Sequence, residues 1–192
     1  MSMCFKRSGL GAFFCVSVCL LAACGTTGGR AGDAGGSSGR TTDTVIEDQA
    51  IEMKALRRIS KDQSVYERTH VNVTSYNTVV LVTGEAPTEG LRSKIIEIVR
   101  GVEKVSKVYD EIAIAGPSAL TARTSDTLLT GKVKTQLFGS KEVDATRIKV
   151  TTERGVVYLM GLVPRKQGDA AAEIARRVGG VQRVVKLFEY VR

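Results

Sequence analysis

The sequence predicts an α+β protein that contains two copies of one small domain, each built in the order α-β-β-α-β. One observation behind this prediction is an internal repeat: residues 71–87, VNVTSYNTVVLVTGEAP, align without a gap with residues 148–164, IKVTTERGVVYLMGLVP. The other is that both copies pass, in the same order, from four-residue apolar spacing to β-branched runs. In each copy we expect two helices to cover one face of a three-stranded mixed sheet.

The first helix of each copy is predicted from apolar residues that recur every four positions, which places them on one helical face. These stripes are Ile51, Ala55 and Ile59 in the first copy and Leu129, Val133 and Leu137 in the second. Asp48 and Asp126 come just before the stripes, at positions typical of a helix N-cap.

Two strands follow in each copy, joined by turns at residues 75–78 and 153–155. Gly84 and Gly161 interrupt the second strand, which predicts a bulge or the close approach of another backbone.

A second helix and a third strand complete each copy. Pro87 and Pro164 stand where a proline can open a helix. The last strands are expected over residues 105–114 and 183–191.

The N-terminus predicts export. Lys6 and Arg7 precede an uncharged apolar run that is too short to span a bilayer and ends in small residues, as in a secretory signal peptide. Leu21-Ala22-Ala23-Cys24 resembles the lipobox of bacterial lipoproteins, which implies that Cys24 is acylated and becomes the first mature residue.

The chain is therefore divided as follows: a signal peptide (1–23), a lipidated cysteine with a flexible glycine-rich tether (24–44), a first domain (45–115), a linker (116–125) and a second domain (126–192). The tether has no large apolar residue to bury, so we expect it to be flexible.

The strands VLVTG (80–84) and VYLMG (157–161), together with GVEKV (101–105) and GVQRV (180–184), resemble the BON domain family. With the lipobox and the tether, the whole chain resembles dual-BON outer-membrane lipoproteins. This resemblance implies a palmitate-bearing protein that faces the periplasm from the outer membrane. It also implies support of envelope integrity, enrichment at division sites, and binding of anionic phospholipid by the second domain.

The charge of the chain favours anionic partners. The formal charge is +8, and it falls to +6 when the signal peptide is removed. A lipid surface and a merely solvated basic face both fit this charge. Nucleic acid does not fit an exported chain that lacks an aromatic-rich basic stripe.

Catalysis is not expected. His70 is the single histidine, and no serine motif, metal-ligand cluster or phosphate loop accompanies it, so His70 is interpreted as a solvated or strand-edge residue. We expect no cofactor, no metal and no small-molecule substrate.

The candidate site lies on the first helix of the second copy. With Leu129 at the centre of the buried stripe, an outward face is formed by Leu128, Gly131, Thr135 and Phe138, and Lys132 and Lys134 flank it. Apolar residues between lysines suit a layer of anionic head groups. The alternative is that Leu128 packs on the linker and Phe138 caps the core.

The matching helix of the first copy carries mixed charge, including Glu52 and Arg57. We expect it not to dock on a membrane by itself, but to pack against the second copy or to meet an envelope protein. The alternative function is thus an adaptor for outer-membrane assembly or for activation of a cell-wall hydrolase.

Overall fold

The computed structural model of the chain describes residues 41–116 and 120–191. The predicted signal peptide, Cys24 and most of the predicted tether lie outside the described residues.

The first repeat has the predicted order of helices and strands, with one additional short helix. Its elements are α1 (Thr42–Lys61), the short α2 (Gln63–Tyr66), β1 (His70–Tyr76), β2 (Val79–Ala86), α3 (Glu89–Arg100) and β3 (Lys107–Ile114).

The second repeat has the same order, with a single 3-10 turn, Ala145–Arg147, before its first strand. Its elements are α4 (Leu120–Phe138), β4 (Ile148–Glu153), β5 (Val156–Pro164), α5 (Arg165–Arg176) and β6 (Arg183–Val191).

Each repeat forms a three-stranded mixed sheet. β2 pairs antiparallel with β1 and parallel with β3, and β5 pairs in the same way with β4 and β6. The parallel pairs are joined through α3 and α5, as parallel strands require a crossover. This confirms the predicted fold class.

The helices of each repeat cover one face of its own sheet. The predicted stripes are buried: Ile51, Ala55 and Ile59 pack in the core of the first repeat, and Val133 and Leu137 in that of the second. Leu129 is buried as well. The stripes fix the rotation of α1 and α4 and so decide which side chains point away from the core.

The predicted N-caps are wrong, because both helices begin earlier. Thr41 caps α1, with its hydroxyl accepting a hydrogen bond from the backbone N–H of Thr44 (3.3 Å), so α1 includes the last residues of the predicted tether. α4 begins at Leu120, inside the predicted linker. These polar stretches can lie on an exposed helical face, and no apolar periodicity reveals them.

Asp48 and Asp126 fasten the strand turns instead. Asp48 lies inside α1, and its carboxylate accepts hydrogen bonds from the backbone N–H groups of Asn77 (2.8 Å) and Thr78 (2.9 Å). Asp126 does the same for Arg154 (2.7 Å) and Gly155 (2.8 Å). All four turn residues have positive φ, as a type I′ hairpin turn requires.

The two strand glycines allow close backbone approach, as predicted. A Cβ atom added to Gly84 would lie 2.0 Å from the carbonyl oxygen of His70, and one on Gly161 would lie 2.5 Å from that of Arg147. Each proline lies just before the helix that it was predicted to open. Pro164 is the N-cap of α5, and Pro87 comes immediately before Thr88, which is the N-cap of α3.

The second faces of the two sheets pack against each other and form a third apolar cluster, made of Tyr76, Val79, Leu81, Tyr158, Met160 and Leu187. Polar contacts between β1 and β4 border this cluster: Asn72 to Glu153 (3.0 Å) and Thr74 to Thr151 (3.4 Å). Thr74 and Thr151 are equivalent positions of the two repeats, so the repeats meet through corresponding strands.

Candidate membrane-binding site

The candidate site is the outward face of α4, which we call the α4 ridge. It consists of the six predicted residues: Leu128, Gly131, Lys132, Lys134, Thr135 and Phe138. Because Val133 and Leu137 are sealed in the core, the ridge is held on the opposite side of the helix.

All six ridge residues are exposed. Leu128 is 63% exposed and Phe138 is 65% exposed, which are high values for large apolar side chains. In the alternative, Leu128 would pack on the linker and Phe138 would cap the core, but both side chains are exposed in this structure.

The ridge has a large apolar side chain at each end and small side chains between them. Leu128 and Phe138 are ten positions apart, about 15 Å along the helix axis. Between them lie Gly131, whose missing Cβ would have no heavy atom within 4 Å, and Thr135. The hydroxyl of Thr135 donates to the carbonyl oxygen of Gly131 (3.0 Å), so it brings no unpaired donor to an apolar surface.

The charge of the ridge is positive. Lys132 and Lys134 are exposed, and within the described parts of the chain neither forms an ion pair. Two free ammonium groups beside exposed apolar side chains can contact anionic head groups while the apolar ends enter the interface.

No helix within residues 41–116 and 120–191 has the length and apolar character needed to cross a bilayer. In the same ranges, no group of three or more histidine, cysteine, aspartate or glutamate side chains could hold a metal ion.

His70 begins β1 and is partly buried. Burial lowers the pKa of its imidazole, and the positive charge of Arg123 lowers this pKa further. The residue lies at a strand end, as its interpretation from the sequence requires.

Sequence reasoning missed an apolar cavity on the first repeat. Met53, Leu56 and Tyr66 are exposed and line a space of about 430 Å³ beside β1. Met53 and Leu56 lie off the Ile51 stripe of α1, so the helical wheel could have revealed them. Arg57 is the one acidic or basic residue apart from His70 that lines this cavity.

One of the charged residues of α1 forms contacts within the protein. The Glu52 carboxylate accepts hydrogen bonds from the backbone N–H of Ser75 (2.7 Å) and from the Lys149 ammonium of the second repeat (2.6 Å). The first repeat thus packs against the second both through its sheet and through this ion pair.

Comparison with known proteins agrees with this architecture. Residues 47–116 and 125–192 each match the BON domain family. The chain is 35% identical over 182 residues to the outer membrane lipoprotein DolP of Haemophilus influenzae, covering 95% of this chain and 93% of that protein.

Two further relatives match over most of their length. The chain is 36% identical over 153 residues to a 21 kDa hemolysin of Actinobacillus pleuropneumoniae, covering 80% of this chain and 79% of that protein. It is 29% identical over 162 residues to the osmotically-inducible protein Y of Escherichia coli, covering 83% and 80%.

Two tandem α-β-β-α-β units with these matches define a dual BON-domain protein. The chain belongs to the BON domain family, and it is an outer-membrane, lipid-anchored lipoprotein similar to DolP.

Proposed function

We propose that this lipoprotein binds anionic phospholipid through the α4 ridge, without catalysing a reaction, while acylated Cys24 keeps it at the outer membrane. The observation that supports this most directly is the exposure of Leu128 and Phe138 beside lysines that form no ion pair with the described residues, on a helix whose other face is buried.

The expected energies suit a sensor of lipid composition. Moving a large apolar side chain fully out of water contributes about 1.5–3 kcal/mol, and each lysine near an anionic surface about 1 kcal/mol. Leu128, Phe138 and two lysines therefore give a weak contact, and the acyl chains at Cys24 provide the durable attachment.

We include in the proposal the roles that the family resemblance implies: export by the signal peptide, palmitate on Cys24, support of envelope integrity and enrichment at division sites. A weak contact that depends on lipid charge can concentrate a tethered protein where anionic lipid is abundant, because the anchor already confines it to the bilayer.

Liposome flotation tests the site. The mature chain, residues 24–192 with Cys24→Ser, should float with phosphatidylglycerol vesicles and not with phosphatidylcholine vesicles. Leu128→Asp and Phe138→Glu should each abolish flotation, since each places a carboxylate at an apolar end of the ridge.

Met53→Asp is the matched control, because Met53 is an exposed apolar residue of α1. This variant should float like the parent chain. If both ridge variants still float, or if Met53→Asp is equally defective, the α4 ridge is not the binding site.

An adaptor function is the second candidate. It is favoured by the concave cavity at Met53, Leu56 and Tyr66, since an inserted side chain fills a concave apolar space better than a head-group layer does. Photo-crosslinking from position 66 in cells should then capture one dominant envelope protein while ridge variants remain functional. Equal crosslinking to many proteins would argue against this candidate.

A further inference from the structure

A groove of about 1010 Å³ lies between the two repeats. Its walls include β2 and β3 of the first repeat and the β4–β5 turn of the second. Leu128 and Lys132 line its mouth and also belong to the α4 ridge. A membrane-bound ridge would therefore bring the groove close to the head groups.

Glu85 of β2 is the unusual residue in this groove. It is 1% exposed, and neither carboxylate oxygen has a hydrogen-bond partner among the described residues. Burying a carboxylate without a partner is unfavourable, because the group loses its hydration and gains nothing in return.

The other carboxylates of the groove each have a partner. Asp126 accepts from the β4–β5 turn, and the remaining contacts are Asp110 with Arg92 (2.9 Å), Glu111 with the Tyr158 hydroxyl (3.3 Å) and Glu153 with Asn72 (3.0 Å). The missing partner is therefore specific to Glu85.

The fold does not require a carboxylate at this position. Leu162 is the equivalent residue of the second repeat, and it packs against the apolar cluster between the sheets. A leucine at position 85 would suit the same kind of environment, so Glu85 calls for an explanation outside packing.

The surroundings of Glu85 are acidic inside the groove and basic at its mouth. Burial raises the pKa of the neighbouring Glu153, and the charge of Glu85 contributes to this rise, whereas Arg123 opposes it. Toward solvent the groove carries exposed Lys132, Arg154 and Arg183.

We propose that this groove binds a phosphoethanolamine head group, with the ammonium on Glu85 and the phosphate among the basic residues at the mouth. The charges of such a head group are complementary to those of the groove. Its terminal ammonium would face the acidic interior, and its phosphate, which lies next to the lipid backbone, would face the basic mouth. The Glu85 carboxylate is covered in the free chain, so its side chain must turn toward the groove for binding.

A primary ammonium donates hydrogen bonds to a carboxylate, whereas the quaternary ammonium of choline has no N–H group to donate. The groove should therefore distinguish these two zwitterions. The proposal rests on the proposed function only in that the α4 ridge brings the groove to the membrane.

Titration of the soluble mature chain with short-chain lipids below their micelle concentrations tests the proposal. Dihexanoylphosphatidylethanolamine should shift the backbone amide resonances of β2 and of residues 153–155 in NMR spectra. The choline analogue should bind roughly tenfold more weakly, as should the ethanolamine lipid to Glu85→Leu, since each lacks one charge-assisted hydrogen bond. Soluble O-phosphoethanolamine should shift the same resonances, which would assign recognition to the head group rather than the acyl chains.

Three variants separate the two proposals. Glu85→Leu should unfold at an equal or higher denaturant concentration and still float with phosphatidylglycerol vesicles. Glu85→Gln should lose ethanolamine selectivity without a large change in shape. Phe138→Glu, at the end of the ridge that does not line the groove, should fail to float yet keep its affinity for the short-chain lipid. Equal affinity of the parent and Glu85→Leu, or of the ethanolamine and choline lipids, would overturn the proposal.

Discussion

Two buried aspartates connect the first helix of each repeat to a distant turn. Asp48 accepts three hydrogen bonds, from the Ser75 hydroxyl (2.7 Å) and from the backbone N–H groups of Asn77 and Thr78. Thr78 has a φ of 64°, an unfavourable value for a β-branched residue. The carboxylate therefore holds a turn that the local sequence alone would not favour.

Asp48→Ala should lower the free energy of unfolding by roughly 3–4 kcal/mol, since it leaves the buried Ser75 hydroxyl and the half-buried N–H groups of Asn77 and Thr78 without an acceptor. Asp43→Ala, an exposed residue of the same helix, is the control and should cost less than about 1 kcal/mol. Urea denaturation of both variants measures the difference. Similar losses in both would mean that Asp48 contributes only through the charge of the helix.

Local spacing predicted the strand glycines correctly and the aspartates incorrectly. An aspartate ahead of an apolar stripe is typical of an N-cap, and this pattern contains no information about a turn 29 or 30 residues away. The role of the glycines was predictable because a glycine weakens a strand, and its presence within a β-branched run usually marks a bulge or a close backbone approach.

At the level of single elements, one face of α4 packs in the core of the second repeat and the other face is exposed to solvent. Val133 and Leu137 are sealed in the core, whereas Leu128 and Phe138 are exposed on the other side. The two functions of the helix can therefore be changed independently by substitutions on opposite faces.

Leu137→Ala should lower the free energy of unfolding by about 2–5 kcal/mol because it leaves a cavity in the core. Leu128→Ala should change it by no more than about 0.5 kcal/mol, as expected of an exposed position. Chemical denaturation in the absence of lipid measures both. A large loss in Leu128→Ala would show that the ridge also supports the fold.

The helical wheel predicted both faces of α4, because the buried stripe determines the rotation of the helix. The first turns of α1 and α4 could not be predicted in this way. Their residues are mostly Thr, Ser, Ala and Arg, which fit an exposed helix and an irregular linker equally well.

At the scale of the whole molecule, the two sheets bury each other. Tyr158 of β5 lies in this interface, and its hydroxyl donates to the Glu111 carboxylate of β3. Burial, with a smaller contribution from the charge of Glu111, raises the pKa of Tyr158 to about 12.

This pKa predicts a loss of stability at alkaline pH. The folded-state pKa exceeds the unfolded value of 10, so the protonated phenol stabilises the fold fully below pH 10, and this stabilisation declines as the pH rises through about 12. Tyr158→Phe should remove most of the decline in unfolding free energy between pH 10 and 12.

Tyr190→Phe is the control for this experiment. It changes an exposed ring on β6 and leaves Tyr158 in place, so the alkaline decline should remain. An unchanged decline in Tyr158→Phe would assign the alkaline sensitivity to other groups.

The sequence predicted two repeats but not how they meet. One signal was present: the first half of β2, VVLV (79–82), is a continuous apolar run, and such a run is typical of a strand buried on both faces. The partner of the second face could not be predicted, because the residues that contact across the interface lie far apart in the chain.

The interface between the sheets constrains which substitutions the two copies can accept. After a duplication, one half is often free to change while the other keeps the original role. Here a substitution on the inner sheet face of one half must be tolerated by the other, whereas the helix surfaces that do not contact the other half are released from that constraint. The helix surfaces are therefore where the halves can diverge, as the ridge of one and the cavity of the other already illustrate.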